Sequence, residues 1–205
     1  MTTTQIQTLG NLLATYNSDL NYIRNFHKYK KNEISTKDYL LKSTGTFKSF
    51  INDFRVARNV EKAKTSTLLN LTSNWIKNKN SDNVDEFAEH LKMKGITHGK
   101  IMTSLASKIL FLNNPWKILP LDNLAKKAVG LKNNNYSNYL PLTEIYIEKS
   151  NNEIYSLLSS IDKHLKIIEK EFEQEIENIE VVRKNRFIDK LLWTEGRMKL
   201  NTKKN

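Results

Sequence analysis

Asp122 is the carboxylate best placed to do chemistry. It follows the apolar run Trp116-Lys117-Ile118-Leu119-Pro120-Leu121, which prolines at 115 and 120 hold extended, and it opens a short helical segment. Read alone, it is a helix N-cap: its oxygens accept backbone N–H bonds and the helix dipole favours its charge. On the preceding segment, Lys100 and Lys108 flank Ser104 at four-residue spacing and so share a helix face. Read by spacing alone, Lys108 is a lysine that faces solvent or phosphate.

Much other chemistry is excluded. There is no cysteine, so thiolate nucleophiles, disulfides and thiolate zinc sites are absent. His27, His90, His98 and His164 are too far apart for a helical pair of ligands. No metal and no cofactor is expected. The start lacks a basic stretch leading into an apolar run, and nothing approaches a membrane-spanning length, so the expected location is cytoplasmic with no membrane partner.

The elements that must position these residues are helical. Six glycines and three prolines punctuate 205 residues, apolar residues recur at threes and fours, and sustained two-residue alternation is missing. Helices are expected over about 5–31, 35–43, 47–58, 60–78, 83–94, 97–112 and 123–129. A long one over 140–183, broken near 150–152, and a last one over 185–193 stopped by Gly196 complete the set. Ser35-Thr36-Lys37-Asp38 has the capping-box form, and Thr97 can cap the 97–112 helix, whose core stripe is Ile101, Leu105, Ile109 and Leu112. Residues 1–198 are expected as one compact all-α domain, with room for two lobes and a cleft near 95–140, and 199–205 as a frayed basic tail.

The formal charge is +11, and it is uneven. Residues 169–180 hold six glutamates against Lys170, a local −5, which leaves +16 on the rest. Such an excess favours a polyanionic partner, most simply nucleic acid.

The order of elements around Asp122 carries a resemblance. The words Leu119-Pro120-Leu121-Asp122-Asn123 and Lys126-Lys127-Ala128-Val129-Gly130 follow a helix and a proline turn. The stretch Ala106-Ser107-Lys108-Ile109-Leu110-Phe111-Leu112-Asn113-Asn114-Pro115 and the later Arg186-Phe187-Ile188-Asp189-Lys190-Leu191-Leu192-Trp193 accompany them. This arrangement resembles the helix-hairpin-helix DNA glycosylase superfamily, which includes endonuclease III and the 8-oxoguanine glycosylases, in a divergent bacterial branch. About residues 95–140 carry it.

The resemblance implies a two-lobed helical fold that binds DNA and flips a damaged or modified base into the cleft, with Asp122 stabilising the sugar cation as the N-glycosidic bond is hydrolysed. The register of the family's imine-forming lysine falls on Ser104, which implies a monofunctional enzyme unless Lys108 substitutes. The hairpin reads Thr97-His98-Gly99-Lys100, with one glycine where the family has two. Its backbone N–H groups, with Lys100 and His98, either bind a phosphate or only start a helix. Arg55, Arg58, Lys126 and Lys127 are further DNA contacts or solvated surface. Trp116, Tyr136 and Tyr139 are base-stacking surfaces or core.

Two other functions compete. One is a non-catalytic nucleic-acid-binding protein of the same fold. The other is a helical interaction protein, a monomer or weak dimer, paired through the stripe Ile161, Leu165, Ile168, Phe172, Ile176, Ile179 and Val182 within 161–182.

Overall fold

A computed structural model describes residues 1–78 and 80–201. All of its regular structure is helical: ten α-helices and one 3-10 turn, with no strand among the described residues. The chain divides into two compact units. A central unit comprises Ser18–Ile118, and a terminal unit combines Met1–Asn17 with Leu119–Asn205. One division falls inside α1 (Thr3–Lys30) and the other after Ile118; the run expected to be extended turns first, with the Lys117 and Ile118 N–H groups bonding to Asn114 O at 3.1 and 3.0 Å.

The remaining helices of the central unit are α2 (Thr36–Tyr39), α3 (Phe47–Asp53), α4 (Thr65–Trp75), α5 (Val84–Met93) and α6 (Thr103–Asn113), with the 3-10 turn at Ala57–Asn59 between α3 and α4. Helix α6 is buried from Leu105 to Asn113, as a helix that is apolar on nearly every side must be. Around it lies an aromatic cluster: Phe50 meets Tyr22 edge-on at 5.4 Å and Phe54 at 4.3 Å, and Tyr29 stacks on Tyr39 at 4.9 Å. The N-cap read at Ser35 is present, since Ser35 Oγ accepts the Asp38 N–H at 3.1 Å, and it also donates to the Asp38 carboxylate at 2.6 Å.

Several helices are shorter than periodicity suggests, because single residues in the left-handed region end them. Arg55 has φ 56°, so α3 stops at Asp53 and does not reach Arg58. The chain turns back there, Val56 N–H bonds to Ile51 O at 2.9 Å, and Val56 is buried. Ala63, at φ 65°, delays α4 to Thr65. Helix α6 starts at Thr103, not Thr97, and Ile101, expected in its core stripe, is 47% exposed.

In the terminal unit, α7 (Asn123–Ala128), α8 (Tyr136–Ser160), α9 (Asp162–Glu169) and α10 (Ile179–Asn201) join the first turns of α1. The break expected near 150–152 does not occur; α8 runs through it, and residues 170–178 interrupt the pattern instead. Leu165, Phe172, Ile176 and Val182 are buried in the chain itself, and the interruption removes the continuous helix that a dimer seam needs. Nor does Gly196 end the last helix. A Cβ there would lie 2.0 Å from the Leu124 carbonyl oxygen, so the glycine lets α10 lie directly on the backbone of α7. Helix therefore continues into the supposed tail as far as Asn201, while 202–205 lie outside the described residues.

Candidate functional site

The residues singled out from the sequence fall into both units. In the terminal unit, Asp122 takes extended backbone angles and caps α7: its Oδ1 accepts the N–H of Leu124 at 2.8 Å and of Ala125 at 2.9 Å. Its side chain is half-buried. The loop that delivers it is fixed by Tyr136, whose hydroxyl accepts the Leu119 N–H at 2.9 Å and donates to the Leu119 carbonyl at 3.0 Å. Tyr136 and Tyr139 are both buried, so their rings form the seat of the Asp122 loop and leave no open stacking face. On α7, the Lys126 ammonium donates to Asn134 Oδ1 at 2.8 Å, and Lys127 is exposed.

In the central unit, Lys108 is buried on α6 and its Nζ donates to the Phe54 carbonyl at 3.1 Å, at the end of α3. A cation there satisfies a terminal carbonyl and the negative end of that helix, which is neither the solvent-facing nor the phosphate-facing placement considered above. Ser104 is half-buried in the first turn of α6. Trp116 is half-buried and meets His27 edge-on at 6.2 Å. Burial pushes the His27 imidazole below its ordinary value, although the Asn113 carbonyl lies 3.3 Å from its Nε2. Arg55 and Arg58 are exposed.

The hairpin residues form a tight turn of their own. Lys100 N–H bonds to Thr97 O at 3.0 Å, His98 and Gly99 have φ 52° and 69°, and the buried Thr97 hydroxyl donates to the Lys100 carbonyl. Positive φ at both central residues is the mirror-image turn that glycine tolerates and histidine seldom adopts. Thr97 therefore closes this turn and does not cap α6.

Sequence reasoning missed what faces the turn. The Glu61 carboxylate pairs with Lys64 at 2.6 Å, and Lys64 also donates to the Gly95 carbonyl at 2.5 Å. The Glu61 N–H bonds to Ile96 O at 2.8 Å and fixes the segment against the hairpin. Lys64, first through its hydrogen bond, holds the Glu61 carboxyl below its ordinary value. A glutamate three residues before a lysine was visible in the sequence, but the left-handed Ala63 between them was not.

An open depression of about 350 Å³ in the central unit is lined by Ser18, Tyr22, Lys42, Ser43, Thr44, Ser49 and Asp53, and Tyr22 donates to the Asp53 carboxylate. Among the described residues no group of three or more histidines and carboxylates is arranged to hold a metal ion, and no helix is long and apolar enough to cross a membrane.

Charge separates the two units. The central unit has 18 lysines and arginines against 9 carboxylates, a net +9, and the terminal unit has 15 against 13, a net +2. No protein-family model, curated protein or solved structure matches the chain.

Proposed function

We propose that the chain binds nucleic acid, with DNA as the first candidate, through the surface of the central unit, and that Asp122 serves as a helix cap and not as a catalyst. The observation that carries this reading is the +9 held by 101 residues while the rest of the chain is close to balanced. Arg55, Arg58, Lys62, Lys92, Lys94 and Lys100 are exposed on that unit. Such a surface attracts phosphates independently of base sequence and releases counterions as it binds. Two features argue against a catalytic centre: Asp122 Oδ1 already holds two helix N–H groups, and Lys108 is buried on a carbonyl.

The test is fluorescence anisotropy of labelled duplex and single-stranded DNA across a salt series. The double substitution Arg55→Glu/Arg58→Glu should weaken binding at least about tenfold and flatten the salt dependence by about two phosphate contacts. Lys149→Glu/Lys163→Glu, on exposed positions of the terminal unit, should change affinity by less than about threefold. Equal losses from both pairs would refute a contact surface on the central unit.

A second reading, hydrolysis of the N-glycosidic bond of a damaged or modified base, is favoured by one observation: the Asp122 carboxylate is half-buried and not sealed in the core. Abasic sites formed in duplexes with damaged or hypermodified bases, revealed by alkali and lost in Asp122→Asn, would establish it. Binding without product on every duplex would exclude it.

A further inference from the structure

We propose that the depression in the central unit binds a phosphorylated ribose, the part that a free ribonucleotide and an RNA strand have in common. Lys42 with the Ser43 and Thr44 hydroxyls takes the phosphate, and Asp53 takes the sugar hydroxyl. The inference goes beyond the DNA-binding reading and does not depend on it. Three observations carry it.

The first is what the walls are made of. A depression of about 350 Å³ is large enough for a small ligand, but such sites are mostly apolar and this one is lined by an ammonium, a carboxylate and hydroxyls. The one ring among its lining residues, Tyr22, is 3% exposed and meets Phe50 edge-on at 5.4 Å, so no open face is offered for a base to stack on. Walls of this kind suit the sugar and phosphate of a nucleotide and leave its base outside.

The second is the setting of Asp53. Burial, and then the bond to Asp53, raises the Tyr22 hydroxyl to about 12, so it keeps its proton and donates it to Asp53 Oδ2. Oδ1 remains to accept from a hydroxyl, as carboxylates do when they hold a ribose 2′-OH. Asp53 also closes the last turn of α3, which holds no basic residue and where the helix dipole disfavours a negative charge, so the helix itself does not account for it.

The third is the rim, which is already shaped. The Thr46 hydroxyl donates to the Leu41 carbonyl at 2.8 Å with the Ser43 carbonyl at 2.9 Å, and the Asn25 amide donates to the Gly45 carbonyl at 3.0 Å. Gly45 holds the φ of 78° that this loop requires. None of these bonds uses a side-chain atom of Lys42, Ser43 or Thr44, and all three residues are exposed. A lysine and two hydroxyls on a loop held in this way bind a phosphate at little cost in ordering. Ser49 donates its proton to the Thr46 carbonyl at 3.0 Å and so meets a ligand as an acceptor.

The experiment titrates the full chain in a calorimeter with uridine 5′-monophosphate, its 2′-deoxy form, uridine and inorganic phosphate. The ribonucleotide should bind at least about fivefold more tightly than the deoxy form, and at least about tenfold more tightly than uridine or phosphate alone. Lys42→Gln should weaken the ribonucleotide about tenfold and leave uridine unchanged. Asp53→Asn, which still accepts the Tyr22 proton, should erase the preference for ribose while Tm stays level or rises. Lys48→Gln, exposed on α3 and outside the lining, should change affinity by less than about twofold.

An oligouridylate of about ten nucleotides separates the two sources of the ribose. Tighter binding than the mononucleotide, weakened by Lys42→Gln and Asp53→Asn, identifies an RNA strand; no gain over the mononucleotide identifies a free ribonucleotide. Equal affinity for the ribo and deoxy forms would overturn the proposal, as would an Asp53→Asn loss that falls on both alike, equal losses from Lys42→Gln and Lys48→Gln, or no binding of mononucleotide and oligomer. The duplex-binding surface stands or falls separately, because Arg55 and Arg58 do not line the depression.

Discussion

In the terminal unit the Arg183 guanidinium is held by oxygens on three sides, donating to Glu169 Oε1 at 2.7 Å, to Asp162 Oδ1 at 2.8 Å and to Glu169 Oε2. In the central unit Arg55 and Arg58 stand exposed on a left-handed turn and a 3-10 turn. The same residue type thus does opposite work. Glu169 is 1% exposed and also accepts from the Tyr16 hydroxyl at 2.5 Å, so its charge is answered from two sides and fastens α1, α9 and α10 together. Whole-chain net charge averages over this difference and says little about where a polyanion would bind.

Breaking the buried network is the severest test of that contrast. Arg183→Ala leaves Glu169 buried without its cation, and it should lower the stability of the terminal unit by about 3–5 kcal/mol, a fall in Tm of roughly 10 °C. Arg58→Ala should change stability by no more than about 0.5 kcal/mol and should weaken DNA binding. Thermal melts with anisotropy titrations read both. If Arg183→Ala is harmless to stability, or Arg58→Ala destabilises as much, the two units do not use their cations differently.

Gly196 sharpens the terminal side. In an isolated helix, Gly→Ala gains about 1 kcal/mol. Here the added methyl would meet the Leu124 carbonyl at 2.0 Å, which is backbone and cannot rotate away. Gly196→Ala should therefore cost about 3 kcal/mol, a reversal of sign that urea unfolding would detect. A stabilised variant would mean that α7 and α10 are not packed backbone to backbone.

The helical class, the Ser35 N-cap, the end of the 83–94 helix and the Asp122 cap were all legible in the sequence, because each depends on residues within four positions. The helix expected over about 5–31 was legible too, as α1 (Thr3–Lys30). What periodicity could not show were the left-handed residues Arg55, Ala63 and His98, since no side chain there announces positive φ, and each cuts an expected helix or turns a cap into a turn. Gly196 was misread for a related reason: a glycine that ends a helix and one that admits a neighbouring backbone look alike until the neighbour is known. The buried placement of Lys108 and the hold on Lys64 depend on carbonyls 54 and 31 residues away, beyond the reach of local spacing.

Asp122 offers a milder test. Asp122→Ala removes a cap with two hydrogen bonds and should cost about 1 kcal/mol. Asp122→Asn, itself a good cap, should cost almost nothing. If the cap is its whole role, neither change alters DNA affinity, because α7 belongs to the nearly balanced unit. A loss of base release in Asp122→Asn at unchanged stability would make the terminal unit the catalytic half, and the contrast would become one of chemistry against binding.

The smallest expected effect separates the units by pH. His27 is held below its ordinary 6.5 mainly by burial, and His90 is shifted the same way by burial and then by Lys94; both lie in the central unit. The folded state binds their protons less readily than the unfolded chain does, so their contribution is complete above about pH 6.5 and is lost as pH falls below it. In the terminal unit, the Asp162 carboxyl is held below its ordinary 3.8, first by Lys166 and then by Arg183, so its contribution persists until the carboxylate range is reached. In a Trp193→Phe background, fluorescence during urea unfolding reports Trp75 and Trp116, both of the central unit. The urea midpoint should fall between pH 7.5 and 5, and His27→Gln, which cannot take up the proton, should flatten that fall. A midpoint that stays level over the same range would show that His27 is protonated in the folded chain despite its burial, and acid would then not distinguish the two units.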